Sequence, residues 1–165
     1  MLNIQHLGGL AHSGVDIHKE RGNAIKLLVR VVRELEAGFA LRLSELKGGT
    51  ARNALPREAS ALVLVPEAVA DRLADAVAAL AAQLRAELRG VDEGLSVELA
   101  LGEASAVMAL AEQEVWLASL HAAPHGVHRM SRQVPGVVET SNNLGIVDLG
   151  PSGGSCNFMV RSLLE

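Results

Sequence analysis

The sequence predicts an α+β fold, a mostly antiparallel sheet with helices packed on one face in a ferredoxin-like two-layer sandwich. Three observations carry the prediction. Short runs with apolar residues at every second position alternate with longer runs whose apolar residues recur at steps of three and four. Their order is β-α-β-β-α-β-α-β-β, in which hairpins outnumber the crossovers that parallel strands need. The chain has 165 residues, 49% apolar and 21% charged, enough for one core without staples. With no internal repeat and no linker, residues 1–163 read as a single domain.

Each element has its own signal. Leu2, Ile4 and His6 share one parity and predict a short first strand, followed by a turn region with Gly8, Gly9 and Gly14 around His12-Ser13. A helix then starts at Asn23, a good N-cap, with Ile25, Leu28, Val29, Val32 and Leu35 as its buried stripe and Gly38 as its end. Phe39, Leu41 and Leu43 alternate with Ala40, Arg42 and Ser44 as a half-buried strand, broken by Gly48-Gly49. Residues 50–58 form a polar loop, and residues 59–65 a dense strand. Pro66 opens a second helix, where its missing N–H costs little, and Val69, Leu73, Val77, Leu80, Leu84 and Leu88 mark its inner face up to Gly90. Leu95, Val97, Leu99 and Leu101 predict a further half-buried strand. A third helix is expected from about Ser105 to His121, with Val107, Leu110, Glu114, Leu117 and Leu120 near one face. Residues 122–136 read as loop. Strands over about 137–149 and 155–163, joined by the turn Pro151-Ser152-Gly153-Gly154, complete the sheet.

Composition narrows the function. Aromatics are 2% of the chain (Phe39, Trp116 and Phe158, with no Tyr), which excludes a stacking platform for single-stranded nucleic acid. Lys plus Arg number 15 against 19 Asp plus Glu, so a net charge of −4 argues against nucleic acid as a partner. No uninterrupted run of 18 apolar residues suggests a membrane span, and no basic segment followed by an apolar block suggests a signal peptide. The single Cys156, read as an inert core thiol, cannot form an internal disulfide, and the expected location is cytoplasmic. Leu164-Glu165 has the form of a cloning remnant.

The six histidines are numerous for this length. His121, His125 and His128 are spaced by four and three, which on a helix would gather ligands on one side, but Pro124 and Gly126 interrupt the run. No cysteine pair, HExxH, GxxxxGK, GxGxxG after a strand, or GxSxG accompanies them, so no metal site is expected within this chain. Ser13 beside His12 is not a hydrolase pair, because neighbours on extended chain point to opposite faces.

Three polar segments are specific and non-repetitive: His12 to Lys19, Gly48 to Ala59 and Val137 to Gly145. In this order they resemble the aminoacyl-histidine dipeptidases (Xaa-His dipeptidases), zinc peptidases related to carnosinases and aminoacylases. His12-Ser13-Gly14 and Asp16-Ile17-His18 match the family's opening motif. Arg21 to Leu28 match its Arg-Gly-Asn-Ala-x-Lys-Leu-Leu. Gly48 to Ala59 match its Gly-Gly-Thr-x-Arg-Asn-Ala-Ile-Pro-Arg-Glu-Ala, with Leu55 for Ile. Pro124 to Val127, Val137 to Gly145 and Arg161-Ser162 match its later segments. The likeness spans about Leu7 to Leu163. Two departures are Leu10-Ala11, where the family has Gly-Gly, and Asn142, where it has an apolar residue.

The resemblance implies a part of an enzyme, the lid and dimerisation domain inserted into a catalytic domain that binds two zinc ions. It implies that this chain binds no zinc itself, is inactive alone and forms a homodimer. It assigns His12 to stabilising the oxyanion of the dipeptide substrate, across the dimer in the partner's site, and Asn53 and Arg161 to binding the substrate carboxylate. Two rivals remain at this stage. One is a stand-alone ferredoxin-like α+β ligand-binding or protein-interaction module. The other is a metal-storage or sensing domain using His121, His125 and His128.

Overall fold

The structure, a computed structural model, describes residues 2–6, as backbone, and residues 17–163. Among them the elements are β1 (Leu2–His6), α1 (Ala24–Phe39), β2 (Arg42–Gly48), β3 (Glu58–Leu64), α2 (Ala70–Glu87), β4 (Leu95–Leu99), α3 (Leu110–Ala122), β5 (Gly126–Met130), β6 (Val138–Gly150) and β7 (Gly153–Ser162). Single 3-10 turns occupy Ile17–Lys19 and Glu67–Val69.

The seven strands form one antiparallel sheet in the order β4-β1-β3-β2-β6-β5, with β7 paired to β6. The first four strands carry the predicted ferredoxin-like arrangement: β3 lies between β1 and β2, which α1 connects, in the split βαβ pattern. The α1 stripe is buried as its spacing requires, with Ile25, Leu28, Val29 and Val32 at 0% exposure. Asn23 caps this helix, its Oδ1 accepting from the N–H groups of Ile25 at 2.9 Å and Lys26 at 3.2 Å. Leu73, Val77 and Leu84 of α2, Leu117 and Leu120 of α3, and Leu144, Val147 and Leu149 of β6 join α1 in one core.

The fold departs from the sequence expectations at several places. Gly38 does not end α1. The helix runs to Phe39, and Ala40 takes the left-handed conformation at φ 48° that a glycine would fill more easily. Residues 105–109 are not helical: the Met108 N–H donates to Leu43 O at 2.8 Å and the Arg42 guanidinium to Met108 O at 2.6 Å, which ties that backbone to β2. The inner face of α3 consequently contains Gln113, whose Oε1 accepts from Leu43 N at 2.7 Å, while Leu110 is exposed. Leu101 lies beyond β4 and is exposed, and so is Cys156 on β7. Residues 126–130, expected as loop, form β5 against the first half of β6, pairing Gly126 with Asn142 and Val127 with Ser141.

That extra strand creates an unusual edge. One side of β6 is paired with β7 along most of its length. The other side is shared, β5 taking Val138–Asn142 and β2 taking Val147–Leu149. Between them the backbone of Leu144 faces no strand, although it is buried in the core. Side chains fill the gap. The Asn23 Nδ2 donates to Leu144 O at 2.9 Å, and Leu144 N donates to His125 Nδ1 at 3.4 Å. Asn23 Nδ2 also reaches His125 Nδ1 at 3.3 Å, so two donors converge on that ring nitrogen, which must be unprotonated. Lys26 donates to the carbonyls of Leu120, His121 and Ala123, which ties the end of α3 to α1 just before His125.

Two predictions follow from this architecture. Ala40→Gly should stabilise the chain by about 0.5–1 kcal/mol in urea denaturation, because it relieves a left-handed alanine; a loss of stability would show that the Ala40 methyl packs usefully. His125 is held down to about 4 by burial, with the charges of Lys26 and His128 adding to it. Its pKa in the unfolded chain is near 6.5, so the unfolded state takes the proton first. Stability should therefore be full above about pH 6.5. It should fall towards pH 4, by on the order of 1.4 kcal/mol per pH unit at the steepest. Comparing urea midpoints across this range for the chain and for His125→Gln checks the assignment: the variant should lose that part of the slope.

Candidate functional site

The loop of residues 49–57, between β2 and β3, folds back over β6. Close approach makes this possible. Gly49 sits at φ 72°, and a Cβ there would run into Gly145 O. A Cβ on Gly145 would meet the Arg52 Cα and carbonyl oxygen at 2.6 Å. Any side chain at either position would push loop and strand apart.

Side chains from three segments then hold the loop. Asn143 Nδ2 donates to Arg52 O and to Ala54 O, each at 2.8 Å. Within the loop, Ala54 N donates to Ala51 O at 3.1 Å, closing a turn with Arg52 and Asn53 at its tip. Arg57 grips Asp92 through two parallel bonds of 2.7 and 2.8 Å, with both side chains almost buried. Asp92 Oδ2 also accepts from Gly22 N at 3.1 Å, and Ala24 N donates to Pro56 O at 3.0 Å. Removing one partner of so enclosed a pair would leave an uncompensated charge. The segments Arg21 to Leu28, Gly48 to Ala59 and Val137 to Gly145, scattered in sequence, thus meet around one turn.

The structure places two of the three sequence-predicted site residues. Asn53 is exposed at the turn tip, between the two carbonyls that Asn143 holds. Arg161 is exposed on β7, opposite Ser141, and Met159 is opposite Asn143. Alternation along a strand puts Ser141, Asn143, Met159 and Arg161 on one face of the sheet. Leu144, in the core, and Phe158, partly buried against it, occupy the other face. Asn53 and Arg161 therefore stand over the same face of the β6–β7 pair. His12 lies outside the described residues.

The three clustered histidines go separate ways. His121 is exposed near the end of α3, His125 is turned in against Asn23, and His128 is exposed on β5. Among the described residues no group of three or more His, Cys, Asp or Glu is arranged to hold a metal ion. The histidines of this loop therefore do not fit a zinc centre, since the Nδ1 of the only inward one is already engaged. No helix among the described residues is long and apolar enough to cross a membrane.

Sequence reasoning missed the residues that build the turn's support: Asn143, Gly145, Arg57 and Asp92. One signal was available. Thr140-Ser141-Asn142-Asn143 is a polar run inside a strand, and Ser141, Asn142 and Asn143 are all buried. Polar groups buried in mid-strand need partners from elsewhere in the fold. Asn142, where an apolar residue was the family expectation, donates from Nδ2 to Pro124 O at 2.8 Å and so guides the chain into β5.

Comparison with known proteins shows where this fold recurs. The chain is 36% identical over 165 residues to the cytosol non-specific dipeptidase of Escherichia coli (strain K12), covering 99% of this chain and 34% of that protein. The crystal structure of aminoacylhistidine dipeptidase from Vibrio alginolyticus superimposes with a TM-score of 0.90 at 37% identity, again over 99% of this chain and 34% of that one. The chain thus spans about a third of the length of these relatives. Residues 7–92 match the model of the peptidase dimerisation domain, M20_dimer. The chain belongs to the M20 peptidase dimerisation-domain family.

Proposed function

We propose that this chain is the lid and dimerisation domain of a zinc-dependent, cytoplasmic dipeptidase that cleaves Xaa-His dipeptides, and that its own residues bind and polarise the substrate. The observation that carries the reading is the placement of Asn53 and Arg161 over one face of the β6–β7 pair. A free C-terminal carboxylate next to the scissile bond is what distinguishes a dipeptide from a longer chain. A guanidinium binds it through two parallel bonds, and an amide N–H adds a third donor. Family membership and the two dipeptidase relatives support the same reading.

In this mechanism Arg161 and Asn53 hold the carboxylate and so fix the peptide bond relative to the reacting groups. His12, in the partner subunit's site, donates a hydrogen bond to the carbonyl oxygen as negative charge develops there. When bound, zinc supplies Lewis-acid polarisation and an activated water. The described residues of this chain form no donor set for it, so it is assigned to the remainder of a larger enzyme. The chain alone is then inactive, and its contribution to assembly is self-association as a homodimer.

Kinetics of the full-length enzyme test this. Arg161→Ala should raise KM for an Xaa-His dipeptide by about 10- to 100-fold with little change in kcat, the signature of lost ground-state binding. His12→Ala should lower kcat by about 10²–10³-fold. The isolated chain should sediment as a dimer and show no turnover with added zinc. Wild-type KM in the arginine variant, or zinc-dependent turnover by the isolated chain, would overturn the reading.

A further inference from the structure

We infer that Asn143 is a positioning residue for carboxylate binding: by clamping the carbonyls on either side of Asn53, it sets where Asn53 stands relative to Arg161. The inference rests on the proposed role of Asn53 and Arg161 in holding the substrate carboxylate.

The geometry is specific to an asparagine. Asn143 is 1% exposed, and its Nδ2 serves the Arg52 and Ala54 carbonyls at equal distances of 2.8 Å. Both hydrogens of the amide are therefore used, one for each carbonyl flanking Asn53. A serine would supply one donor and an aspartate none. Fastening both sides of a residue removes the peptide rotations that would otherwise swing its side chain. The contacts below the turn leave no slack, because Gly145 lies directly against Arg52 and Gly49 against Gly145 O.

The other end of Asn143 is informative. Its Oδ1 is buried, and among the described residues no partner bonds to it. Here the donor end alone is engaged, and both its bonds go to the Asn53 turn.

The same two strands also carry Arg161. Met159 is the cross-strand neighbour of Asn143, and Arg161 is the next residue on that face of β7. The separation between the two carboxylate-binding groups is thereby tied to the β6–β7 register, with Asn143 as the link to the Asn53 side. An asparagine in the middle of a strand so acts through Asn53 on the substrate without touching it.

The test is a double-mutant cycle in the full-length enzyme, with an Xaa-His dipeptide and its C-terminal amide as the two substrates. Asn143→Ala should raise KM for the dipeptide about tenfold, leave kcat within about threefold, and leave kcat/KM for the amide unchanged. In an Asn53→Ala background the same substitution should add less than about twofold, because its effect passes through Asn53. Amide hydrogen exchange at residues 51–54 should quicken in Asn143→Ala while β6 and β7 keep their protection. Asn143→Ser, with one donor left, should fall between wild type and alanine, and it is read in the same way if the alanine variant does not fold. Effects that multiply in the double variant, equal losses on dipeptide and amide, or an unchanged KM would overturn the inference. If Asn53→Ala alone leaves KM unchanged, the carboxylate reading itself has failed and takes the inference with it. If Asn53→Ala raises KM and neither Asn143 variant does, only the inference falls.

Discussion

The backbone of Leu144 is the point on which the arrangement depends. A buried peptide group without partners is costly, and this one lies where the edge of β6 changes from β5 to β2. Asn23 satisfies its carbonyl and His125 its N–H. The same Asn23 caps α1. One side chain therefore couples the start of the first helix to the middle of the longest strand. A gap in the sheet becomes the joint between the ferredoxin-like half and the β5–β6–β7 extension.

Around that joint each neighbouring residue of β6 has a separate structural task. Asn142 reaches Pro124 on the way to β5, Asn143 clamps the turn at Asn53, Leu144 enters the core, and Gly145 makes room for Arg52. Four consecutive residues thus address the lead into β5, the candidate site, the core and the loop backbone. Strand alternation makes this possible by sending Asn142 and Asn143 to opposite faces. The Arg57–Asp92 pair anchors the far end of the same loop, so the exposed tip at Asn53 is supported from both sides.

Rigid support is what the proposed binding role of Asn53 requires. A guanidinium on a strand and an amide on a turn recognise a carboxylate only if their spacing is held to a fraction of an ångström. Here Arg161 takes its place from strand pairing, and Asn53 takes its place from side-chain bonds to a neighbouring strand. The two are positioned by different devices built on the same pair of strands.

The sequence by itself determined the α+β class, the ferredoxin-like half and the family motifs, because periodicity, an N-cap at Asn23 and unbroken loop motifs are local properties. Its errors share a cause. β5 exists only because β6 offers it an edge, residues 105–109 stay out of α3 because Leu43 and Arg42 engage Met108, and Ala40 holds a left-handed cap that its type does not announce. Asn53 and Arg161 could be picked out as motif positions, but their common face follows from a register of long-range pairs. The roles of Asn143, Gly145, Arg57 and Asp92 likewise arise from contacts between residues 35 to 96 positions apart. Partners at such distances are chosen by the fold and leave little trace in local sequence.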